Sequence, residues 1–284
     1  MMKKIDSYDQ YKKLVAENRK KWEKVFSNNL LLPSSAEEYI NDGRMGYENC
    51  QNGILFFIDE GNYYRTMFYW NDQPFDIHKE DKPLLTELVG VIGRNDEELS
   101  LLCSRLVAGG FSCDKTSYRH EYDLKGKTLE DLSVTELEET VLKGNKLTLR
   151  FCKTSKEVEE VEKLWSDHLD EFDIPLSHRE LLRSCQDNCY IVVNDREEVV
   201  ATLFVQYYKS RSEGCHIVTK PEYHRRGIAR LITKEWMLEA KKRGIDTLNT
   251  WVSETNTGSL NLQSKESFYR NGKFSIQLSL KTGD

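Results

Sequence analysis

The residues best suited to chemistry in this chain form one run, Thr219-Lys220-Pro221-Glu222-Tyr223-His224-Arg225-Arg226-Gly227-Ile228-Ala229, with Arg230 directly after it. The run follows the apolar, β-branched residues Ile217 and Val218 and precedes an amphipathic stretch, so it joins a strand to a helix. Such a turn leaves the first helical N–H groups without partners in the chain, and a phosphate or diphosphate can accept them and gain from the helix dipole. Gly227 lets a bulky anion approach the backbone, and Ala229 keeps the next site small. Arg225, Arg226 and Arg230 complement its charge. Taken alone, Arg225-Arg226-Gly227 reads first as the start of a solvated helix. The strand before it and the apolar helix after it favour an anion site.

The surrounding chain must position that turn. It has 284 residues, 38% hydrophobic and 31% charged, with 14 Tyr and 11 Phe, which suits two globular cores of roughly 140 residues each. A formal net charge of -6 opposes non-specific binding to nucleic acid or anionic lipid, so neither is expected as a partner. No run of 18 apolar residues and no apolar leader segment occurs, and the seven cysteines are scattered without C-x-x-C pairs. Cys185 and Cys189 are the nearest pair but lack the further ligands of a metal site. A cytoplasmic protein without a metal is the expectation.

Hydrophobic periodicity supplies the elements. In the first half a helix is expected over Ser7–Phe26 and a second near Ala36–Ile40, followed by a hairpin of Gly53–Ile58 with Tyr63–Trp70. A strand at Pro83–Ile92, a helix over Asn95–Val107 and a strand at Thr116–Leu124 complete that half. Residues 131–146 are charged and poor in aromatics and read as a connecting segment between domains at 1–130 and 147–284. The second half then runs through a strand at Leu147–Cys152 and a helix opened by the capping pattern Thr154-Ser155-Lys156-Glu157. A helix near Ser177–Cys185 and a meander of Cys189–Val193, Val199–Tyr208 and Cys215–Thr219 come next. A helix from Arg226 to Lys242, a strand at Leu248–Ser253, a helix near Thr257–Glu266 and a strand near Phe274–Leu280 follow. This is a mixed α/β order, one sheet covered by helices.

The turn and its flanks resemble the signature V-x-P-x-Y-[RQ]-x-x-G-x-[GA] of the GNAT superfamily of acyl-CoA N-acyltransferases, with Thr219 in place of Val and His224 in place of Arg or Gln. The order of elements over most of residues 147–280 is similar to that family's as well. The resemblance implies a GNAT-type fold in the second half and acetyl-CoA, or another acyl-CoA, as cosubstrate. His224, Arg225, Arg226, Gly227, Ile228, Ala229 and Arg230 would then hold the diphosphate, with a pH-dependent contribution from His224. It also implies that the strands ending at Thr219 and Ser253 splay apart. The pantetheine arm would lie in the gap against Ile217, Val218 and Thr219, where a backbone N–H stabilises the tetrahedral oxyanion. Asn256 and Ser259 match the N-x-x-[AS] pattern that accompanies pantetheine binding.

For the proton on the attacking amine, Glu213 stands at the offset some family members use for a carboxylate base, and His216 and Glu254 are alternatives. On a regular strand Glu213 and His216 face opposite ways, so only one would reach the thioester. Each has a plainer reading: Glu213 as part of a hairpin tip, His216 as a core histidine, Glu254 as a solvated strand end. Two positions depart from the family pattern. Gln263 stands where a tyrosine acid is usual, and Ser267-Phe268 replaces Gly-Phe; Tyr269 and Tyr223 are substitute acids or packing residues.

The first half is similar to an abbreviated, degenerate GNAT repeat, with Ala108-Gly109-Gly110-Phe111 after its last helix and no basic Gly-x-[GA] turn. A tandem arrangement in which it shapes an acceptor pocket would make Tyr63, Tyr64, Tyr69 and Trp70 acceptor-side candidates. The expected reaction is acetyl transfer to a primary amine of a small molecule or peptide by direct attack. A non-catalytic acyl-CoA sensor or structural protein, and an aminoacyl or other bulky acyl transferase, are the alternatives. No spacing code in the sequence names the acceptor or the oligomeric state.

Overall fold

A computed structural model describes residues 2–282 apart from Leu30, Asp72, Pro74, Asp76, His78, Lys79, Asn95, Glu171, Phe172, Ile174, Pro175 and Ser177. Asn95 and Ser177, where two helices were expected to begin, therefore lie outside the described residues. The chain divides into two compact units, Met1–Ser117 with Gly272–Asp284, and Tyr118–Asn271. Residues 118–146, expected partly in the first domain and partly in a connector, fold with the second unit, and the last strand returns to the first. The physical reason is edge pairing. From Lys273↔Val91 to Leu280↔Leu84 the final strand finds an antiparallel partner in the first unit, which satisfies a ladder of backbone groups that composition does not reveal.

Unit 1 contains β1 (Lys3–Lys4), α1 (Tyr8–Lys21), β2 (Phe26–Ser27), α2 (Pro33–Asn41), β3 (Met45–Asn49), β4 (Gly53–Asp59), β5 (Tyr64–Trp70), β6 (Leu84–Val91) and α3 (Asp96–Ala108). β7 (Ser112–Asp123) starts in it. The neighbours run β1-β3-β4-β5-β6, with β2 beside β5. β4 reads Gly-Ile-Leu-Phe-Phe-Ile-Asp and is buried on both faces, covered on one by Phe26, Leu102 and Leu106 and on the other by Tyr11, Ala36 and Ile40. A strand sandwiched in this way carries a continuous apolar run instead of an alternating one.

Unit 2 takes in the rest of β7, then α4 (Thr135–Leu137) running into a π-helical turn at Glu138–Lys143, β8 (Thr148–Phe151), α5 (Ser155–His168), α6 (His178–Asn188), β9 (Cys189–Val193), β10 (Val199–Tyr207), β11 (Arg211–Thr219), α7 (Ile228–Lys242), β12 (Thr247–Ser253) and α8 (Thr257–Lys265). β13 (Tyr269–Leu280) begins here and ends in unit 1. The sheet order is β7-β12-β11-β10-β9-β8; β11 and β12 run parallel, and the pairs from β11 through β10 and β9 to β8 are antiparallel. The capping box that starts α5 is present: Thr154 Oγ1 accepts from Glu157 N–H at 3.2 Å, and Glu157 Oε2 accepts from Thr154 N–H at 3.1 Å and from Lys153 N–H at 2.6 Å. α5 and α6 bury Val158, Val161, Trp165, Leu181 and Cys185 on one face of the sheet. α7 presents Ile228, Leu231, Ile232, Trp236, Met237 and Ala240, an i, i+3, i+4 stripe, to the other.

β11 is longer than the expected Cys215–Thr219, beginning at Arg211, so Glu213 lies within the strand and not at a hairpin tip. Among the described residues no helix is long and apolar enough to cross a membrane, and no group of three or more His, Cys, Asp or Glu could hold a metal ion.

Candidate functional site

β11 and β12 pair in parallel from Arg211↔Thr247 to Gly214↔Thr250, and there their pairing ends, although β11 continues to Thr219 and β12 to Ser253. A buried network holds the pair together just before they part. Asn249 Nδ2 donates to the carbonyl of Ser212 at 3.1 Å, Trp236 Nε1 donates to Ser212 Oγ at 2.9 Å, and that hydroxyl donates to the carbonyl of Gln206 at 3.0 Å. Gly214 makes this clamp possible, because a Cβ there would sit 2.9 Å from the Trp236 ring. Beyond the clamp, the edges of Ile217, Val218 and Thr219 that face away from β10 have no strand beside them among the described residues. Thr219 Oγ1 is buried there without a hydrogen-bond partner among the described residues. A gap with backbone edges and an unpartnered hydroxyl can receive an extended polar chain.

The cause of the divergence is local. On β10 the register passes from Val205↔Gly214 to Phe204↔His216, so Cys215 is the extra residue of a β-bulge. The bulge also changes which way side chains face. Gln206 pairs with Glu213 and Phe204 with His216, and residues two apart on β10 share a face, so Glu213 and His216 share one too. The opposite-face expectation assumed a regular strand and is corrected by the bulge. Both residues are half-buried on the side of α5, where the His216 ring lies 5.9 Å from that of Trp165. Burial, and then the Glu213 charge, push the Cys215 thiol above its ordinary range, which leaves it a neutral packing group and not a nucleophile. Glu254 is exposed in the turn after β12.

The turn between β11 and α7 passes through a short helical turn at Pro221–Tyr223 and then two left-handed residues, Arg225 at φ 60° and Gly227 at φ 83°. No acceptor among the described residues takes the N–H groups of Arg225, Arg226, Gly227, Ile228, Ala229 or Arg230; the next one, Leu231, donates to the carbonyl of Gly227 at 2.9 Å. Six consecutive unaccepted amides at a helix N-terminus, two of their residues left-handed, are the kind of backbone that can accept an anion. Gly227 is held there twice over, by its φ and by Val141, whose Cγ2 would lie 3.1 Å from an added Cβ.

The three arginines are not equivalent. Arg226 is committed to the turn itself: it donates to Asn145 Oδ1 at 3.3 Å and to the carbonyl of Glu222 at 2.9 Å, and its guanidinium lies 5.1 Å from the Tyr223 ring centroid. Arg230 pairs at 2.5 Å with the buried Glu266, which Lys234 also approaches at 3.1 Å. Only the Arg225 side chain has no such partner among the described residues. His224 is tied as well, through Nε2 to the carbonyl of Thr219 at 2.8 Å; a carbonyl accepts only, so that nitrogen carries the proton and Nδ1 remains for other contacts.

Asn256 is the N-cap of α8, its Oδ1 accepting from Ser259 N–H at 3.0 Å, so both residues of that pattern begin the helix. Gln263 is buried with Oε1 unpartnered among the described residues. Of the two tyrosines considered as substitutes, Tyr269 donates to Glu121 at 3.2 Å and is exposed, and Tyr223 accepts from Asn194 at 3.3 Å, which leaves its own O–H to donate. Ser267 has φ 62°, a conformation that suits glycine, and the buried Phe268 after it stacks on Trp236. Tyr63, Tyr69 and Trp70 are buried in unit 1 and Tyr64 is half-buried. The clamp residues Ser212, Asn249 and Trp236, and the turn's supports Asn145 and Val141, had no motif to announce them. Gly214, one residue after a candidate base, was the single sequence sign of close packing.

Residues 158–266 match the model of the acetyltransferase (GNAT) family. A comparison of the sequence with curated proteins finds no match. Among solved structures, a tandem GNAT protein from the clavulanic acid biosynthesis pathway is similar with a TM-score of 0.56 at 10% identity, covering 100% of this chain and 99% of its own. A GCN5-related N-acetyltransferase from Sphaerobacter thermophilus gives 0.54 at 12% identity, with 100% and 96% covered. One from Kribbella flavida gives 0.55 at 16% identity, with 88% and 94% covered. At these identities the structural likeness speaks for the fold, and the family model speaks for the domain that holds the turn and the gap. The chain carries a domain of the acetyltransferase (GNAT) family, on a fold it shares with a tandem GNAT protein over its whole length.

Proposed function

We propose that unit 2 transfers an acetyl group from acetyl-CoA to a primary amine of a small molecule or peptide, by direct attack of the amine on the thioester. The observation that carries this reading is the row of six unaccepted amides from Arg225 to Arg230 beside the gap that opens after Gly214 and Thr250. The row suits a diphosphate, and the gap suits the amide-containing arm that joins the diphosphate to the thiol. Ile217, Val218 and Thr219 would pair with that arm, and a backbone N–H among them would face the thioester oxygen as it becomes an oxyanion. Asn256 would touch the arm from the start of α8, its Nδ2 uncommitted in the cap.

Bringing amine and thioester together supplies much of the acceleration, and a base then needs only to remove one proton. Glu213 and His216 on the α5 face of β11 are the candidates, with Glu254 a third. The thiolate departs without a tyrosine acid; Gln263 at that position can donate a hydrogen bond but no proton. The same residue favours a second reading, a non-catalytic acyl-CoA sensor, because a buried carboxamide stands where the tyrosine acid is usual and Tyr269 donates its O–H to Glu121.

Calorimetry with acetyl-CoA and release of CoA over a panel of amines test both. Binding with amine-dependent CoA release supports the transferase. Binding without release from any amine supports the sensor, and no binding at millimolar acetyl-CoA overturns both.

A further inference from the structure

Unit 1 repeats the feature that defines the gap in unit 2. β5 and β6 pair in parallel only from Tyr64↔Leu84 to Thr66↔Thr86, and then separate while β5 runs on to Trp70 and β6 to Val91. Here the space is taken. β2 pairs with β5 through Phe26↔Trp70 and Ser27↔Tyr69, on the edge that β6 has left. The next residue, Asn28, fills the point of divergence with its carboxamide. Its Oδ1 accepts from Phe68 N–H at 2.8 Å, and its Nδ2 serves Thr86 Oγ1 at 2.7 Å, the carbonyl of Glu87 at 3.1 Å and the carbonyl of Thr66 at 3.3 Å.

A side-chain amide presents one acceptor and two N–H donors, the pattern an extended amide chain offers to two strand edges at once. Of the residues it meets, Phe68, Thr66 and Thr86 are shut off from water, at 1%, 3% and 1% exposed, while Glu87 is exposed. Thr86 Oγ1 also donates to the carbonyl of Thr66 at 3.2 Å, so those two groups have a partner besides Asn28. Phe26 anchors the segment, packed with Leu55 and Trp70 and covered by the Arg105 guanidinium at 5.3 Å. The other half of the unit 2 site has no counterpart among the described residues. Among the described residues between β5 and β6 there is no helix, hence no row of outward N–H groups for an anion.

We propose that unit 1 is a second copy of the gapped-sheet architecture in which the chain's own Phe26–Asn28 segment is the permanent occupant of the gap, so that the protein takes one acyl-CoA per chain. The occupied gap is independent of the function proposed for unit 2; the stoichiometry rests on it. Asn28 thus acts as an internal stand-in for a ligand amide and converts a slot for a cosubstrate into a structural joint.

Hydrogen exchange on the full chain tests the joint. The Phe68 amide is expected to be protected in the wild type, and to exchange at least about tenfold faster in Asn28→Ala, with amides of β9 and β10 unchanged; a tenfold change corresponds to about 1.4 kcal/mol. Asn28→Ser, which keeps a hydroxyl at the site, should fall between the two and serves if the alanine variant does not fold. A wild-type Phe68 amide that exchanges like an exposed one, or protection unaltered in either variant, overturns the proposal. Titration of the wild type with CoA adds the count: one site supports it and two overturn it. No CoA binding at all removes the function proposed for unit 2 and the stoichiometry with it, while the exchange of Phe68 still decides whether the gap is occupied.

Discussion

Glu213 and His216 occupy one face of β11, brought there by the extra residue Cys215 between them. Two proton acceptors on one side of the diverging strands leave room for either to serve, and the register alone does not rank them. Replacing the true base should lower kcat by about 10²–10⁴-fold. Glu213→Gln and His216→Ala are therefore expected to differ sharply, one losing that factor and the acidic limb of the pH–rate profile, the other changing little. Affinity for acetyl-CoA should stay within about twofold in both, since neither residue belongs to the turn from Thr219 to Arg230. Equal and small effects from both would move the base to Glu254 or to water.

The proposed anion site depends on Gly227 more than on any one arginine. An alanine there must adopt a left-handed conformation, at about 1–2 kcal/mol, and also press against Val141 Cγ2. Gly227→Ala should weaken CoA binding by about 10–100-fold in calorimetry. Arg225→Ala removes the uncommitted cation of the turn and should weaken binding with a steeper loss at low ionic strength. Arg226→Ala should act through stability, as its guanidinium holds Asn145 and the Glu222 carbonyl. Unchanged CoA affinity in Gly227→Ala would remove the turn from the site.

Ser267 stands in a left-handed conformation at φ 62°, where the family pattern has glycine. Ser267→Gly relieves about 1–2 kcal/mol of backbone strain and restores about 0.4–1 kcal/mol of freedom to the unfolded chain. A net gain of about 0.5–1 kcal/mol is expected, visible as a higher denaturation midpoint with an unchanged denaturant slope. A loss of stability would mean that the serine makes a compensating contact.

Glu157 closes the capping box of α5 and supports a pH prediction. Burial pushes its carboxyl up, but the N–H groups of Lys153 and Thr154 together with Arg150 outweigh that and hold it below its ordinary value of 4.5. A carboxylate with a depressed folded-state pKa stabilises the fold fully above 4.5 and loses that contribution as pH falls through the folded value. Glu157→Gln keeps an acceptor for the cap but loses its charge, so it should cost about 1 kcal/mol near neutrality, and the gap to wild type should close below pH 4.5. A constant difference from pH 3 to pH 7 would contradict this.

The turn from Thr219 to Arg230 was legible in the sequence because its requirements are local. A strand end, a left-handed glycine, a small residue and an amphipathic helix all fall within a few residues and constrain residue type directly. The capping box at Thr154–Glu157, the meander of β9, β10 and β11 and the α7 stripe were readable for the same reason. What only the tertiary structure decided depends on partners distant in the chain. A bulge at Cys215 leaves no mark on residue type, yet it reverses the side on which every later residue faces, so Glu213 and His216 could not be placed together in advance. Asn28 is one polar residue among many until β5 and β6 separate around it. The last strand had an apolar pattern that any sheet edge would accept, and its pairing with β6 was settled by which unsatisfied edge the fold presented. Local sequence specifies where backbone groups are left open; the tertiary structure determines which distant groups meet them, because a buried N–H or C=O must find a partner wherever the fold supplies one.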